Sequence, residues 1–462
     1  MSSDVASSPP AITNRGHTLA YSAIPQELLD RIIDFLHDER DALAACSLVH
    51  RRWLPASSLH LFSLFRWPPC KTHWYGGSDW HRYACWCRQL LDSSKTLEGI
   101  ELLFRNSPRI SDNVRDLRIV MWTARRTTTP REIAHIFDAL PRLQSLDIGN
   151  LDFSQGVSLA SDQSTPRFLR RLRLGHISSN VDLQNIYDLL SCFETISTLS
   201  FQSSDLKATA SEPPNVPAVR TKVNTLELLL THPASGGGWI GGVCAHIDVS
   251  SLTTLAVQNP SNTRLNTDAL SATLHGLLTR CTALRTLVCH FGVYRGLATY
   301  PHPCPTLREV HFVHALQYSS AYVGDAPWLS IRDMLGRPLG ATVRDVLFDL
   351  ELTNITEDEE PEPDVCALEQ GFKRVLERMD WAPLAAAVGG LRSVTFDVKL
   401  KLLQAVEERD PSRGSTKMYM VSRAWKGQPE VYRVILEGVA GERLAIAARP
   451  RLLYRVTFVP IS

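Results

Sequence analysis

Nowhere in the 462 residues is there a run of the roughly eighteen consecutive apolar residues that a membrane helix requires. Charge of one sign is not in excess either. The 49 Lys+Arg against 48 Asp+Glu leave a formal charge of +1, so no global field is directed at nucleic acid or an acidic membrane. Residues 1–20, rich in Ser and Pro, lack the apolar stretch of a signal peptide and read as a disordered tail. Also missing are the Gly-x-Gly-x-x-Gly turn after a strand, the Walker A loop, the Gly-x-Ser-x-Gly elbow and His-Glu-x-x-His. Nucleotide, acyl-transfer and zinc-protease chemistries therefore have no visible anchor. Disulfides are not indicated: the ten cysteines sit mostly singly, several within apolar strand-like runs (Cys192, Cys244, Cys281, Cys289), as reduced buried thiols do. These absences predict a soluble chain of the cytoplasm and/or nucleus, without cofactor, nucleic-acid or membrane partner.

One cluster has metal-ligand residue types: Cys70-x-x-His73 followed by His81-x-x-x-Cys85-x-Cys87. Structural zinc favours cysteine pairs two to four residues apart, and the single residue between Cys85 and Cys87 is too tight. Trp74, Trp80, Tyr83 and Trp86 interleave with these residues, which points to a partly buried aromatic junction and no metal.

What is present repeats. An apolar-x-x-apolar-x-apolar unit begins at Val114, Leu143, Leu169, Ile196, Val223 and Leu252, at intervals of 29, 26, 27, 27 and 29 residues. It returns at Leu284, Leu307, Val343 and Leu391, where the intervals loosen to 32, 23, 36 and 48. The regular spacings fall in the 20–29-residue range of leucine-rich repeats, each one short strand plus a helix or 3₁₀ turn. Segments of helical period lie between the strands: Pro130–Leu140, Asn180–Leu190 and Thr267–Leu278. The pattern predicts an α/β solenoid of parallel strands on a concave side and helices on a convex side, with Leu117/Ile119, Leu146/Ile148, Leu172/Leu174, Leu199/Phe201, Leu226/Leu228 and Leu255/Val257 entering one core. A doubly wound α/β sheet is the alternative, disfavoured by the near-constant period and the lack of a glycine-rich phosphate loop. Two segments interrupt the pattern. Trp239 and Ile240 sit among five glycines, either an inserted loop or an exposed contact loop. The acidic run Glu357–Asp364 reads as a solvated insertion.

Ahead of the repeats, Ile24-Pro25-Gln26-Glu27-Leu28-Leu29-Asp30-Arg31-Ile32-Ile33 and Leu48-Val49-His50-Arg51-Arg52-Trp53 stand out. Pro25 suits the start of a helix. Leu28, Leu29, Ile32, Ile33 and Leu36 form a broad apolar stripe, and Asp41 is a candidate N-cap for a second helix. A Leu-Pro-like start, Glu-Leu-Leu, an Ile-Ile pair and a closing Leu-Val-x-x-x-Trp resemble the F-box, the adaptor-binding module of substrate receptors in SCF-type cullin–RING ubiquitin ligases. The continuation through His60-Leu61-Phe62 is similar to F-box-like proteins common in fungi.

The resemblance implies a tail (1–20), an F-box-like three-helix domain (21–66), a helical and aromatic junction (67–113) and an irregular leucine-rich-repeat solenoid (114–462) with an acidic insertion near 357–364. It further implies a substrate-recognition subunit with no catalytic residue of its own, joined through a Skp-type adaptor to a cullin–RING core and holding an unidentified protein substrate. Pro25, Leu28, Ile32, Leu43, Leu48, Val49 and Trp53 would divide between the module's small core and the adaptor contact. Arg118, Arg171, Arg173, Glu309, His311, Asp345 and Asp349 alternate with core residues along their strands and so face the open, substrate-binding side. Their order predicts a face that is basic early and acidic late. Two rival readings are a scaffold whose F-box-like helices merely cap the solenoid, and an enzyme with an unrecognised site in the C-terminal third.

Overall fold

The computed structural model describes residues 24–67, 96–120, 130–149, 167–177, 183–203, 220–230, 238–258, 267–290, 304–317, 342–356, 364–379, 381–388, 391–410, 415–423, 428–445 and 451–458. The Cys70–Cys87 cluster with its aromatics, residues 1–20 and most of the acidic run lie outside them.

Three ten-residue helices come first: α1 (Gln26–Phe35), α2 (Arg40–Val49) and α3 (Leu54–Ser63). Pro25 occupies the N-cap of α1, and its carbonyl accepts from the Leu28 and Leu29 amides. The N-cap of α2 is Glu39, not Asp41, which sits in the first turn, where a carboxylate favours the positive end of the helix dipole. Polar clamps fasten the helices together. Gln26 Nε2 donates to the Arg52 carbonyl (2.9 Å), and Arg52 Nη2 to the Ile24 carbonyl (3.0 Å). His60 Nε2 lies 2.8 Å from Asp34 Oδ1.

From α3 the chain passes directly into β1 (Leu64–Trp67), which the repeat pattern does not mark. There follow α4 (Thr96–Asn106), α5 (Pro108–Ser111), β2 (Asp116–Val120), α6 (Pro130–Ala139), β3 (Ser145–Gly149), β4 (Arg167–Ile177), α7 (Leu183–Ser191), β5 (Phe193–Ser203) and β6 (Thr221–Leu230). Next come α8 (Gly238–His246), β7 (Ile247–Asp248), β8 (Thr254–Gln258), α9 (Thr267–Arg280), β9 (Thr286–His290), β10 (Glu309–Gln317) and β11 (Asp345–Thr356). The chain closes with α10 (Val365–Arg378), α11 (Ala382–Val388), β12 (Ser393–Asp410), β13 (Ser415–Arg423), α12 (Pro429–Ala445) and β14 (Arg451–Phe458). The fourteen strands among the described residues form one open sheet in chain order from β1 to β13, with β7 pairing β6 and β14 pairing β12 off that path. All pairings are parallel except β12 with β13. Parallel neighbours in chain order, joined by crossover segments, are what a solenoid-like array of β/α units requires.

Register explains the repeat. Leu117, Leu146, Leu172, Leu199, Leu226, Leu255, Leu287, Val310, Val346 and Val394 are Cα partners in one continuous row. Two residues on, Ile119, Ile148, Leu174, Phe201, Leu228, Val257, Cys289, Phe312, Phe348 and Phe396 form a second. Both rows are buried and belong to a single apolar core. At its far end the second row becomes a ring stack, with centroids 5.5 Å apart for Phe312–Phe348, 5.0 Å for Phe348–Phe396 and 5.8 Å for Phe396–Tyr454. All six expected core pairs point inward.

The glycine-flanked Trp239 is no loop tip. It lies in α8, is fully buried, and meets the Phe201 ring edge-on at 5.7 Å. Glycines there allow close packing: a Cβ on Gly242 would overlap the Tyr187 hydroxyl, and Tyr187 stacks on His246 at 3.7 Å. Asp364, last of the acidic run, caps α10 by accepting from the Ala367 amide at 2.6 Å. The C-terminal region departs from simple repetition. Strand β12 is 18 residues long, and the edge it turns away from β11 is shared by β14 along its first half and antiparallel β13 along its second. No helix among the described residues is long and apolar enough to cross a membrane.

Candidate protein-binding surfaces

Helix α1 carries apolar residues on two sides. Leu29 and Ile33 are buried, and with Leu43 of α2 they are the only buried hydrophobic side chains described between residues 24 and 66. Leu28, Ile32 and Phe35, spaced i, i+4, i+7, share the other face, exposed by 49%, 45% and 87%. The last turn of α2 adds Leu48 at 87% and Val49 at 57%. Scattered apolar residues are ordinary on a surface. Five large ones within 22 residues of so small a unit mark a surface built to be covered. Of the sequence candidates, Leu28, Ile32, Leu48 and Val49 are exposed on this unit, Pro25 is exposed at the helix start, Trp53 is half-buried and Leu43 is core. Phe35 was missed. Its i+7 relation to Leu28 was available, but periodicity alone does not tell an outward stripe from an inward one.

The second surface is the open face of the sheet, opposite the helices. Arg118 of β2, Asp147 of β3, Arg173 of β4, Glu227 of β6 and His311 of β10 occupy one half-buried row between the two core rows. Arg173 donates to Gln202 Oε1 at 3.0 Å and lies 3.8 Å from Asp147, while Arg171 lies 3.7 Å from Glu227. The carboxylates do gather late, as their positions suggest, but cations from neighbouring strands answer them. Lys399 meets Asp349 at 2.6 Å, Lys401 meets Glu351 at 3.6 Å and Arg455 meets Asp397 at 3.7 Å, while the His311 ring lies 2.9 Å from Glu309 on the same strand. Asp345 is held by both nitrogens of an Arg392 fork and by the Ser393 hydroxyl. Burial pushes its carboxyl up, but the hydrogen bonds from Arg392 and Ser393 and the charges of Arg392 and Arg344 outweigh that and leave it below the usual aspartate value. The expected basic-to-acidic gradient is therefore corrected: the late end is a lattice of paired charges. Residues paired across strands stand 48 or 50 positions apart in the chain (Ser393 and Asp345, Lys399 and Asp349), so no local pattern announces them.

Among the described residues no three of His, Cys, Asp and Glu group as a metal site. Burial raises the Cys244, Cys281 and Cys289 thiols to about 12 and Cys192 to about 11, far from the thiolate character a nucleophile needs. What the two surfaces can do is bind: one by apolar burial, the other through polar and charged contacts. No protein-family model matches the chain, and no curated protein matches it in sequence.

Proposed function

We propose that this protein is a substrate-recognition subunit of an SCF-type ubiquitin ligase. In this reading α1–α3 form an F-box-like module that docks a Skp-type adaptor, the adaptor links to a cullin–RING core, and the strand array holds the protein to be modified. Ubiquitin transfer belongs to the other subunits, and the site of action is the cytoplasm and/or nucleus. The observation that carries the reading is the exposed stripe of Leu28, Ile32 and Phe35 with Leu48 and Val49, on the helices whose sequence resembles the F-box. Fully burying an aliphatic side chain of this size is worth roughly 1.5–3 kcal/mol, so such a stripe supports tight association.

Co-expression with a Skp-type adaptor tests it. Leu28→Ala with Ile32→Ala removes two half-exposed anchors without touching Leu29, Ile33 or Leu43, and should weaken adaptor capture by about 3 kcal/mol, a hundredfold or more. Wild-type capture by a folded double variant would sink the proposal.

A scaffold reading has one observation in its favour. Strand β1 continues from α3 and pairs with β2, and Arg40 Nη2 donates to the Leu64 carbonyl, so the helices sit against the first edge of the sheet as a cap would. Under that reading no adaptor co-purifies, and the double variant changes nothing but solubility.

A further inference from the structure

At the start of five successive strand positions the sheet places an arginine. The Arg308 amide donates to the Arg285 carbonyl (2.9 Å), Arg344 to Arg308 (2.8 Å), Arg392 to Arg344 (2.7 Å) and Arg451 to Arg392 (3.0 Å). All five residues are exposed. At about 4.8 Å per strand the row runs for about 19 Å along one end of the sheet. Aligned like charges on neighbouring strands destabilise a sheet, and an exposed position outside the core could be filled by many polar residues. Folding does not ask for this row. Arg392 is bound to Asp345 and the charge of Arg344 also bears on that carboxyl, but among the described residues Arg285, Arg308 and Arg451 have no carboxylate ion pair. Arg308 is aimed by a bond from Nη1 to the Thr342 carbonyl (3.1 Å).

Beneath the row opens a groove of about 590 Å³ lined by the four arginines Arg285, Arg308, Arg392 and Arg455 and the three carboxylates Glu309, Asp345 and Asp397, with Thr286 and Ser393 among its walls. Oδ1 of Asp397 is buried there and, among the described residues, accepts no hydrogen bond. A ligand that suits the place brings several anionic groups in an extended line and at least one N–H donor.

We propose that this arginine row and its groove bind an extended acidic segment of another protein. Six residues of extended chain span about 20 Å, which matches the row, and guanidinium forks suit carboxylates. The peptide N–H groups supply the donor Asp397 lacks. A single-stranded nucleic acid fits less well, because among the described residues no aromatic side chain lines the groove to stack a base. The inference deepens the substrate-receptor reading, because it gives the substrate a chemistry, and to that extent rests on it.

The test uses the full chain and fluorescence anisotropy with labelled hexaglutamate, with oligothymidylate of similar length as the competing class. Hexaglutamate should bind, weaken as salt rises, and lose at least tenfold in affinity with Arg285→Ser, Arg308→Ser and Arg344→Ser combined. Lys373→Ser with Arg374→Ser, exposed on helix α10 and part of neither surface, should leave binding unchanged. Arg308→Glu alone is the second variant should the triple one not fold, and should lower affinity in the same direction. Three results would overturn the proposal: wild-type affinity in a folded row variant, tighter binding of the oligonucleotide, or self-association abolished by the row variants, which would make a second copy the occupant. Adaptor capture is measured separately. Peptide binding without it removes the ligase reading and keeps the acidic-segment surface; capture without peptide binding does the reverse.

Discussion

The carboxylate of Asp345 concentrates the electrostatics of the open face. Two guanidinium nitrogens of Arg392 and the Ser393 hydroxyl converge on it, and its pKa lies below the usual value of 3.8. A carboxyl depressed in the folded state contributes stability that is complete above its unfolded pKa and disappears as pH falls through the folded one. Asp345→Asn should therefore lower the urea midpoint at pH 6, and the gap to wild type should close as pH is taken below 4. A gap that persisted at low pH would show the residue acting through packing instead of charge. None of this was legible beforehand. Asp345 was singled out because it alternates with core residues, but its partner comes from the next strand, 47 residues on.

At the scale of the element, the ring stack ties β10, β11 and β12 together across connections of 27 and 36 residues. Phe348 sits in its middle, fully buried, with Phe312 on one side and Phe396 on the other. Phe348→Ala should cost about 3–5 kcal/mol, read as a lowered thermal midpoint, whereas Phe168→Ala, at an exposed position on β4, should cost far less. The stack was legible in outline, because each of its first three phenylalanines closes an apolar-x-x-apolar-x-apolar unit. Such units are easy to read: period two in the strand and a fixed offset to the preceding apolar residue leave few alternatives. Strands β1, β13 and β14 were not legible. Ser415–Arg423 mixes charged and apolar residues without the repeat's offset, and its pairing with β12 follows from a hairpin, not from the stacking of another unit. Trp239 was misread for a different reason. Neighbouring glycines suggest a loop, but here they let α8 approach Tyr187 closely.

Across the whole molecule, each β/α unit touches chiefly its chain neighbours, so stability should be local and not uniform. Leu172 of β4 is fully buried, with Leu146 and Leu199 as its register partners. Leu172→Asp places an unpaired charge in that row and should destabilise its surroundings by about 3 kcal/mol or more. Hydrogen exchange should then show β3, β4 and β5 losing protection first, with β10, β11 and β12 still protected. Uniform loss across all strands would mean one cooperative core, contrary to the linear array.

An open parallel sheet invites filaments, since any exposed edge can template another strand. Here the two ends of the row are poor templates. At one end β1 is four residues long and joined without a break to a helix. At the other, the outer edge of β12 is divided between a parallel and an antiparallel partner, so the pairing direction reverses partway along. Among the described strands this terminus thus ends in two edges of opposite direction, β14 and β13, and not in one continuous template for a further unit.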